Sequence, residues 1–523
     1  MISSRLFGPL LLACAPLLAS CGEKAVPPDT LRIGMPALPA SWGDPYRGEG
    51  APGSFTWSAI FDGLTVLTPE GEIGPALATS WSTTDGKTWT FQLAQNIRFS
   101  DGTPFNAAAA KASLEWLISD AGKGTVIGSR MRDVASIKAP SPYQLSVTLK
   151  APDAIFYKRL PSVAIVGPQA WANLGPAAFA KAPVGTGPYK IKDFDERRRR
   201  ANLIANPGGL RPPGLKNVIL IELADEGVRQ QALISGDVDI ARVGIDEIEY
   251  LKSRGIRLQT AASMQIMSLA FAVEGRPPGS LQSGSLQSGP LQDVRVRRAL
   301  NMAVDREAMA RVLLQGKGAP ASQPGPKGTI GHDDNLADFP YDPAAARALL
   351  AEAGYAKGFT MRADIVIGSL PADALIYQTM ARNLAAIGVK MELRAIPFPV
   401  FLRRYLTNEW GDAAAFGLSW NSAPYNDIQR PLENFSCLKR PKPFFCDPAL
   451  ADAIKVAGSE LDPATRLTML KALSAAHQQA APALFLLEQI DLIGVGPRIK
   501  GEITVANRVP LYERVQLNPY SDP

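Results

Sequence analysis

Helical and extended patterns alternate in the C-terminal half of the chain, and this alternation limits the folds available to it. Helical periodicity covers residues 343–353 and 374–387, and extended stretches follow at residues 360–367 and 389–395. Repeated βα units bring their strands side by side in parallel, with the connecting helices covering both faces of the sheet. We therefore predict an α/β fold with a mostly parallel sheet.

The segment DVRVRRALNMAVDREAMARVLLQG, residues 293–316, predicts two consecutive amphipathic helices. Asp305 is placed to cap the second helix, and Gly316 is placed to end it. Two sets of apolar residues each share one helix face: Val296, Leu300 and Ala303, then Met309, Val312 and Leu313.

This segment and five shorter motifs together resemble a known protein family. In chain order the motifs are PALATSW (75–81), DGKTWTF (85–91), FSDGTPF (99–105), VGTGPY (184–189) and ALISGDVDI (232–240). Each motif alone is weak, but all of them in this order are similar to the family 5 extracellular solute-binding proteins, the peptide and nickel receptors of ABC importers. The resemblance implies a two-lobed periplasmic-binding-protein-like fold with an accessory lobe and an inter-lobe ligand cleft, whose closed form is read by the ABC permease.

The first twenty residues predict a signal peptide that is absent from the mature protein. Arg5 supplies the positive charge, and residues 6–18 form an apolar stretch shorter than the ~20 residues that a bilayer requires. The sequence LASC, residues 18–21, resembles a bacterial lipobox, which implies a lipid on Cys21 and a tether over residues 21–30. An ordinary signal peptide cleaved nearby is the alternative. We expect a periplasmic protein that meets the membrane only through this anchor.

Cys437 and Cys446 are the two cysteines left after Cys14 and Cys21 are assigned to the N-terminal segment. Two neighbouring cysteines in an exported chain predict one disulfide. A metal-binding pair is the alternative, but zinc sites need three or four ligands and no histidine lies nearby in sequence. We predict no metal and no cofactor.

A chain of 523 residues is too long for a single core and predicts two or three domains. Guided by the resemblance, we assign residues 31–71, 185–274 and 489–523 to a first lobe, 72–184 to an accessory lobe and 293–488 to a second lobe. Residues 275–292 contain a repeated Ser-Leu-Gln-Ser-Gly unit, which predicts a flexible loop.

Signals for nucleic-acid binding and for catalysis are weak. The formal charge is +6, and the basic run at residues 197–200 lacks interleaved aromatics, so a solvated loop is predicted and no nucleic-acid partner. His332 and His477 lie outside any HExxH motif, and Ser419 lacks the second glycine of a nucleophile elbow. We expect a monomeric receptor and not an enzyme. A secreted hydrolase with a dispersed triad is the competing class.

By resemblance, GLSWNSAPYND at residues 417–427 corresponds to the region where family members meet their ligand. Peptide-binding relatives carry an aspartate a few residues after the tryptophan, which pairs with the peptide ammonium. Here that position is Ala423 or Pro424, and Asp427 is a substitute if the loop path differs. The stretch WNSAPY is similar to the nickel and opine branch, yet Ser162 follows Leu160-Pro161 where that branch usually has an arginine.

We therefore expect a small peptide or peptide-like ligand, with an opine or nickel chelate as the alternative. Trp420 is predicted to face the cleft, although core packing at a strand end is the alternative for it. At least one of the two arginines on the predicted helix after residue 397 is expected to be solvated. The predicted ligand-binding residues are Trp420, Asn421, Ser422, Tyr425, Asn426, Asp427, Trp42, Asp44, Tyr46, Arg403 and Arg404.

Overall fold

The computed structural model describes residues 27–48, 51–274, 289–368, 370–438, 442–506 and 508–518. The predicted signal peptide, the predicted lipid attachment site Cys21 and most of the predicted tether lie outside the described residues. Most of the predicted 275–292 loop also lies outside them.

A mixed sheet, ten-stranded within the described residues, runs through both main lobes. Four of its nine neighbouring pairs are parallel and five are antiparallel. The prediction of a mostly parallel sheet was therefore wrong, because two long strands cross between the lobes and pair directly with each other. In spatial order the strands are β14 (Val389–Ala395), β13 (Phe359–Ile365), β15 (Ala415–Asn421), β12 (Arg257–Phe271), β16 (Ala483–Val495), β11 (Ile240–Arg242), β1 (Thr30–Met35), β10 (Asn217–Glu222), β9 (Arg200–Ala205) and β8 (Tyr189–Asp195).

The crossing strands β12 and β16 connect the first lobe to the second. Their pairing shifts register between Ala262 and Ile266, and beyond this point β12 also pairs with β15 of the second lobe. The chain thus passes between the lobes inside β12. On β16, Glu488 and Ile490 lie opposite the same shift.

The accessory lobe contains a four-stranded antiparallel sheet and shares one hydrophobic core with the first lobe. Its sheet order is β4 (Ala78–Ser82), β5 (Thr88–Leu93), β7 (Gln144–Leu149) and β6 (Val134–Ser141). Ile33 of β1 and Phe91 of β5 belong to the same core, so these two lobes form one packed unit. The remaining short strands are β2 (Thr65–Leu67), β3 (Ile73–Pro75), β17 (Val505–Ala506) and β18 (Val509–Pro510).

Helices cover the sheets of all three lobes. The first lobe carries α1 (Ala51–Ile60), α6 (Glu226–Ile234) and α7 (Ile248–Ser253). The accessory lobe carries α2 (Ala107–Ile118), α3 (Asp120–Lys123), α4 (Phe156–Arg159) and α5 (Pro168–Phe179). The second lobe carries α8 (Gly289–Gln292), α9 (Val294–Met302), α10 (Arg306–Leu313), α11 (Pro343–Glu352), α12 (Asp373–Ala385), α13 (Phe398–Thr407), α14 (Gln429–Phe435), α15 (Pro448–Ser459) and α16 (Pro463–Ala480).

The two helices predicted at residues 293–316 are confirmed as α9 and α10. Asp305 accepts the N–H of Ala308 at 2.9 Å, as a capping residue does. Met309 is buried on α10, whereas Val312, which was predicted to share its face, is 66% exposed. Buried Arg297 and Arg306 donate to the carbonyls of residues 481 and 485, which ties both helices to the start of β16.

Trp420 lies in the aromatic core of the second lobe, which is the core-packing alternative and not the cleft-facing one. Its side chain is fully buried, and its indole N–H donates to the Ser268 hydroxyl at 3.0 Å. Its ring packs edge-on against Phe435, His477 and Phe485 at centroid distances of 4.8–5.2 Å. Burial lowers the pKa of His477 to about 3.

The structure joins Cys437 and Cys446 in the predicted disulfide. The two cysteines lie between α14 and α15, so the bond closes the loop that connects these helices. A disulfide of this kind reduces the conformational freedom of the unfolded chain.

We predict that removing this disulfide lowers the free energy of unfolding by about 2–3 kcal/mol, the chain-entropy value for so short a loop. Thermal melts of the oxidised and reduced mature protein measure the change, with Cys437→Ser/Cys446→Ser as the matched variant. Two titratable thiols in the unreduced, denatured mature protein contradict the pairing.

We also predict that His477 makes the protein less stable in acid. Its pKa in the folded state lies below its ordinary value of 6.5, so the unfolded chain binds the extra proton. This contribution is complete above pH 6.5 and is lost as the pH falls toward 3, by up to about 1.4 kcal/mol per pH unit.

Chemical denaturation at a series of pH values measures this loss in the wild type and in His477→Phe, which keeps an aromatic ring but does not titrate. The variant is expected to lose less stability per pH unit. His332→Phe controls for removing a histidine as such. Equal slopes for the wild type and His477→Phe contradict the assignment.

Candidate ligand-binding cleft

The carboxyl ends of two sets of strands face each other between the first and second lobes. β1, β10 and β11 run in the direction of β12, which continues into the second lobe. β13, β14 and β15 run in the opposite direction, so their carboxyl ends point back toward the first lobe. Ligands of open α/β sheets bind outside the carboxyl ends of the strands. The space between these ends is therefore the candidate ligand cleft.

The irregular stretch of β12 lies where the crossing strands pass between the lobes. Residues 263–265 fall outside the β12–β16 ladder, between the paired residues Ala262 and Ile266. The carbonyl of Met264 instead accepts the N–H of Ser422 at 2.8 Å, from the loop that follows β15. The crossing strands and this loop therefore meet at one point.

The loop of residues 422–427 contacts both the first lobe and the accessory lobe. The Asn426 amide donates to the carbonyl of Gly71 at 2.8 Å, at the junction of the first and accessory lobes. The Asp427 carboxylate accepts from Lys158 Nζ of α4 at 2.9 Å. Through this loop the second lobe is connected to the other two.

Three buried polar atoms at this meeting point have no hydrogen-bond partner in the structure: Ser263 Oγ, Ser422 Oγ and Gln489 Oε1. Their residues are at most 6% exposed. The amide nitrogen of Gln489 is used, since it donates to Ser419 Oγ at 2.8 Å. An unpaired buried polar atom costs about 1–3 kcal/mol. Three such atoms together make this junction a candidate position for the polar groups of a bound solute.

Asp427 is the most completely enclosed acid of the candidate site. It is fully buried and pairs with Lys158 of the accessory lobe and with Arg466 of α16. Burial by itself raises the pKa of Asp427, but the charges of these two cations and their hydrogen bonds outweigh it and lower the pKa below the usual range. Asp427 is therefore ionised in the closed arrangement.

A second ion pair crosses between the same two lobes. Arg159 Nε donates to Asp153 at 2.7 Å within the accessory lobe, and Arg159 also donates to both oxygens of Glu433 on α14 at 3.2–3.3 Å. Burial lowers the pKa of Arg159, but the two carboxylates outweigh it, so the pKa lies above its ordinary value. The guanidinium of Arg159 also lies 5.4 Å from the ring centre of Tyr425.

Six predicted ligand residues lie on or beside the 422–427 loop, but they do not all face the same space. Trp420 is directed into the core of the second lobe. Asn421 folds back on its own loop, since its side-chain oxygen accepts the N–H of Ala423 at 2.8 Å. Tyr425 is buried, with the guanidinium of Arg430 5.7 Å from its ring centre. Ser422, Tyr425, Asn426 and Asp427 are the four that the structure brings together at the lobe junction.

The three residues predicted after β1 serve the first and accessory lobes. Tyr46 is fully buried, and its hydroxyl donates to the carbonyl of Ala164 at 2.9 Å. Asp44 accepts the N–H of Tyr46 at 3.0 Å, and burial raises the pKa of Asp44. Trp42 packs on Phe194. Within the described residues, none of the three side chains has a hydrogen bond or ring contact with the 422–427 loop.

The two predicted arginines lie on α13, away from this loop. Arg403 is exposed to solvent. Arg404 pairs with Asp364 at the carboxyl end of β13. Arg394 Nε also donates to this fully buried carboxylate at 2.6 Å. The charge of Arg404 is thus balanced within the second lobe.

The sequence analysis missed five residues of the site: Lys158, Arg159, Ser263, Arg466 and Gln489. A signal existed for two of them, since Lys158 and Arg159 are basic residues that directly precede Leu160-Pro161. The nickel and opine branch usually has its arginine after this Leu-Pro pair. The other three lie in no recognisable motif, because they join the site only through long-range packing.

Within the described residues, no group of three or more His, Cys, Asp or Glu side chains is arranged to hold a metal ion. None of the described helices combines the length and the apolarity needed to span a bilayer.

The relatives found by comparison with known proteins are solute-binding proteins. Residues 72–440 match "Bacterial extracellular solute-binding proteins, family 5 Middle". The glutathione-binding protein GsiB of Escherichia coli is 29% identical over 363 residues, which cover 68% of this chain and 67% of GsiB.

Solved structures share the fold. DppA from Helicobacter pylori, in complex with the peptide STSA, superposes with a TM-score of 0.77 at 22% identity, covering 93% of this chain and 98% of DppA. AgaA from A. tumefaciens R10, in complex with agropinic acid, gives a TM-score of 0.75 at 25% identity, covering 94% of this chain and 99% of AgaA.

The two-lobed α/β architecture with its inter-lobe cleft agrees with these neighbours. Because the family match covers well over half of its residues, the chain belongs to the family 5 bacterial extracellular solute-binding proteins, the receptors of ABC importers.

Proposed function

We propose that this protein captures a peptide or peptide-like solute in the periplasm and delivers it to the permease of an ABC importer. The observation that carries the proposal is the group of unpartnered buried atoms on Ser263, Ser422 and Gln489 where the lobes meet. A solute between the lobes pairs with these atoms only in the closed form, so binding selects closure. The closed form is then the one that the permease reads.

The relatives support a peptide-like solute. GsiB is a glutathione-binding protein, and the DppA structure holds a four-residue peptide. An opine or nickel-chelate receptor of the same family is the second candidate. It is favoured by the alanine at position 423, where peptide capture calls for a carboxylate, and by the agropinic acid bound in AgaA.

A receptor fits the site better than an enzyme does. Catalytic serines are activated by a base within hydrogen-bond reach. The hydroxyl oxygens of Ser263 and Ser422 have no hydrogen-bond partner in the structure, so neither hydroxyl is activated. These atoms suit recognition of a solute and not attack on it.

The proposal includes a lipid anchor at Cys21 and action as a monomer with the permease and its ATPases as partners. The lipid anchor is supported by the lipobox-like sequence LASC at residues 18–21 and by the short apolar stretch before it. The anchor keeps the receptor at the membrane surface while the rest of the chain remains in the periplasm.

We predict that native mass spectrometry of protein purified from its own periplasm finds a retained peptide or peptide-like solute. Isothermal titration with a tripeptide library then identifies binders, and agropinic acid and nickel–histidine chelates test the second candidate. If no peptide binds at about 1 mM, an affinity limit of roughly −4 kcal/mol, the opine or chelate candidate replaces the peptide one.

Ser422→Ala tests whether the unpartnered atoms contact the solute. Because Ser422 Oγ has no partner, its loss leaves the melting temperature unchanged or higher, while solute affinity falls about five- to tenfold. Ser268→Ala is the matched control, since its buried hydroxyl is already paired with Leu418 and Trp420. The control lowers the melting temperature and leaves solute affinity unchanged. The same affinity loss in both variants contradicts the assignment.

We predict that Cys21→Ser moves the protein from the membrane to the soluble periplasmic fraction, because it removes the proposed site of lipid attachment. Fractionation followed by intact-mass measurement checks this outcome. Unchanged membrane association, with no loss of the mass of a lipid, contradicts lipidation at Cys21.

A further inference from the structure

The carboxylate of Asp427 has no capacity left for a ligand. Its Oδ1 accepts the N–H of Gln429 at 3.0 Å and Arg466 at 3.1 Å. Its Oδ2 accepts Lys158 Nζ at 2.9 Å and Arg466 at 2.7 Å. A carboxylate has about four lone-pair positions. All four are used by the protein itself.

Lys158 supplies the one ammonium among these partners, and it comes from the opposite side of the cleft. It lies on α4 of the accessory lobe, whereas Asp427 and Arg466 lie in the second lobe. Both members of the Lys158–Asp427 pair are at least nine-tenths buried. A ligand ammonium reaches Asp427 only by displacing Lys158 into a buried site without a partner, which is strongly unfavourable.

The charged groups that join the two lobes balance one another without a ligand. On the accessory lobe, Lys158, Arg159 and Asp153 give a net charge of +1. On the second lobe, Asp427, Glu433 and Arg466 give a net charge of −1. Closure therefore brings together groups of opposite net charge on the two lobes.

The unpartnered buried atoms at this junction are uncharged. They are the hydroxyls of Ser263 and Ser422 and the amide oxygen of Gln489, and Ala423 adds no carboxylate to them. The Gln489 oxygen accepts only, so the solute presents an N–H or O–H donor to it. Amide groups supply donors of this kind without charge.

We propose that Lys158 takes the place of a ligand ammonium on Asp427, so that the receptor selects solutes whose end at this loop is uncharged, such as N-acylated peptides. Lys158 is thereby a specificity-determining residue of the cleft. This inference rests on the proposed function, because it names the class of peptide-like solute that the same cleft takes.

The test compares matched tripeptides with free and N-acetylated amino ends, titrated into the full mature protein. We expect the acetylated forms to bind about tenfold more tightly to the wild type. Lys158→Met keeps the aliphatic stem but frees one lone-pair position on Asp427 Oδ2, which Arg466 still contacts, so free-amine peptides gain affinity and the preference falls below about threefold.

Lys150→Met is the control, since Lys150 is an exposed lysine of the same lobe whose Nζ binds the Arg132 carbonyl, and the acetyl preference is expected to persist. If Lys158→Met does not fold, the wild-type ratio alone decides. Equal or tighter binding of free-amine peptides to the wild type overturns the inference and leaves the proposed function standing. An unchanged preference in a folded Lys158→Met also overturns it. Failure of both peptide forms to bind instead removes the peptide function itself.

Discussion

The antiparallel pairing of β12 and β16 is the constraint on which the rest of the architecture depends. Both strands belong to both lobes, with 15 and 13 residues respectively. Backbone groups in a buried strand must find partners, and on both sides of the crossing each strand finds them in the other. This regular pairing is interrupted between Ala262 and Ile266. The two lobes are therefore joined by two strands that are hydrogen-bonded to each other, and the cleft lies on either side of them.

The accessory lobe adds a third wall to a cleft that would otherwise close between two lobes. It shares a core with the first lobe, so those two lobes act as a single packed unit against the second. Across that boundary run two ion pairs, Lys158–Asp427 and Arg159–Glu433. Buried ion pairs add little net stability but penalise misaligned partners heavily. They therefore define how the lobes meet more than how strongly they hold together.

Family membership and ligand choice rest on different regions of the chain. Motifs that run from residue 75 to residue 316 establish the receptor family, and they lie in helices, strands and turns that build the lobes. Ligand choice depends on a few atoms at the lobe junction, among them the Ser422 hydroxyl and the saturated Asp427 carboxylate. This chain shares its fold with receptors of peptides and of agropinic acid, and it can still bind a solute different from theirs.

The sequence by itself determined the features that depend on near neighbours: the capped helix pair at residues 293–316, the alternating βα elements after residue 343 and the Cys437–Cys446 bond. Periodicity and short-range spacing encode these directly. Only the tertiary structure decided that Trp420 faces the core and that Lys158 pairs with Asp427, 269 positions away. The sequence of a strand end does not decide which of its two faces is buried. That choice depends on which distant helices pack against the strand. The ligand cleft belongs to this second kind because three lobes must meet before it exists.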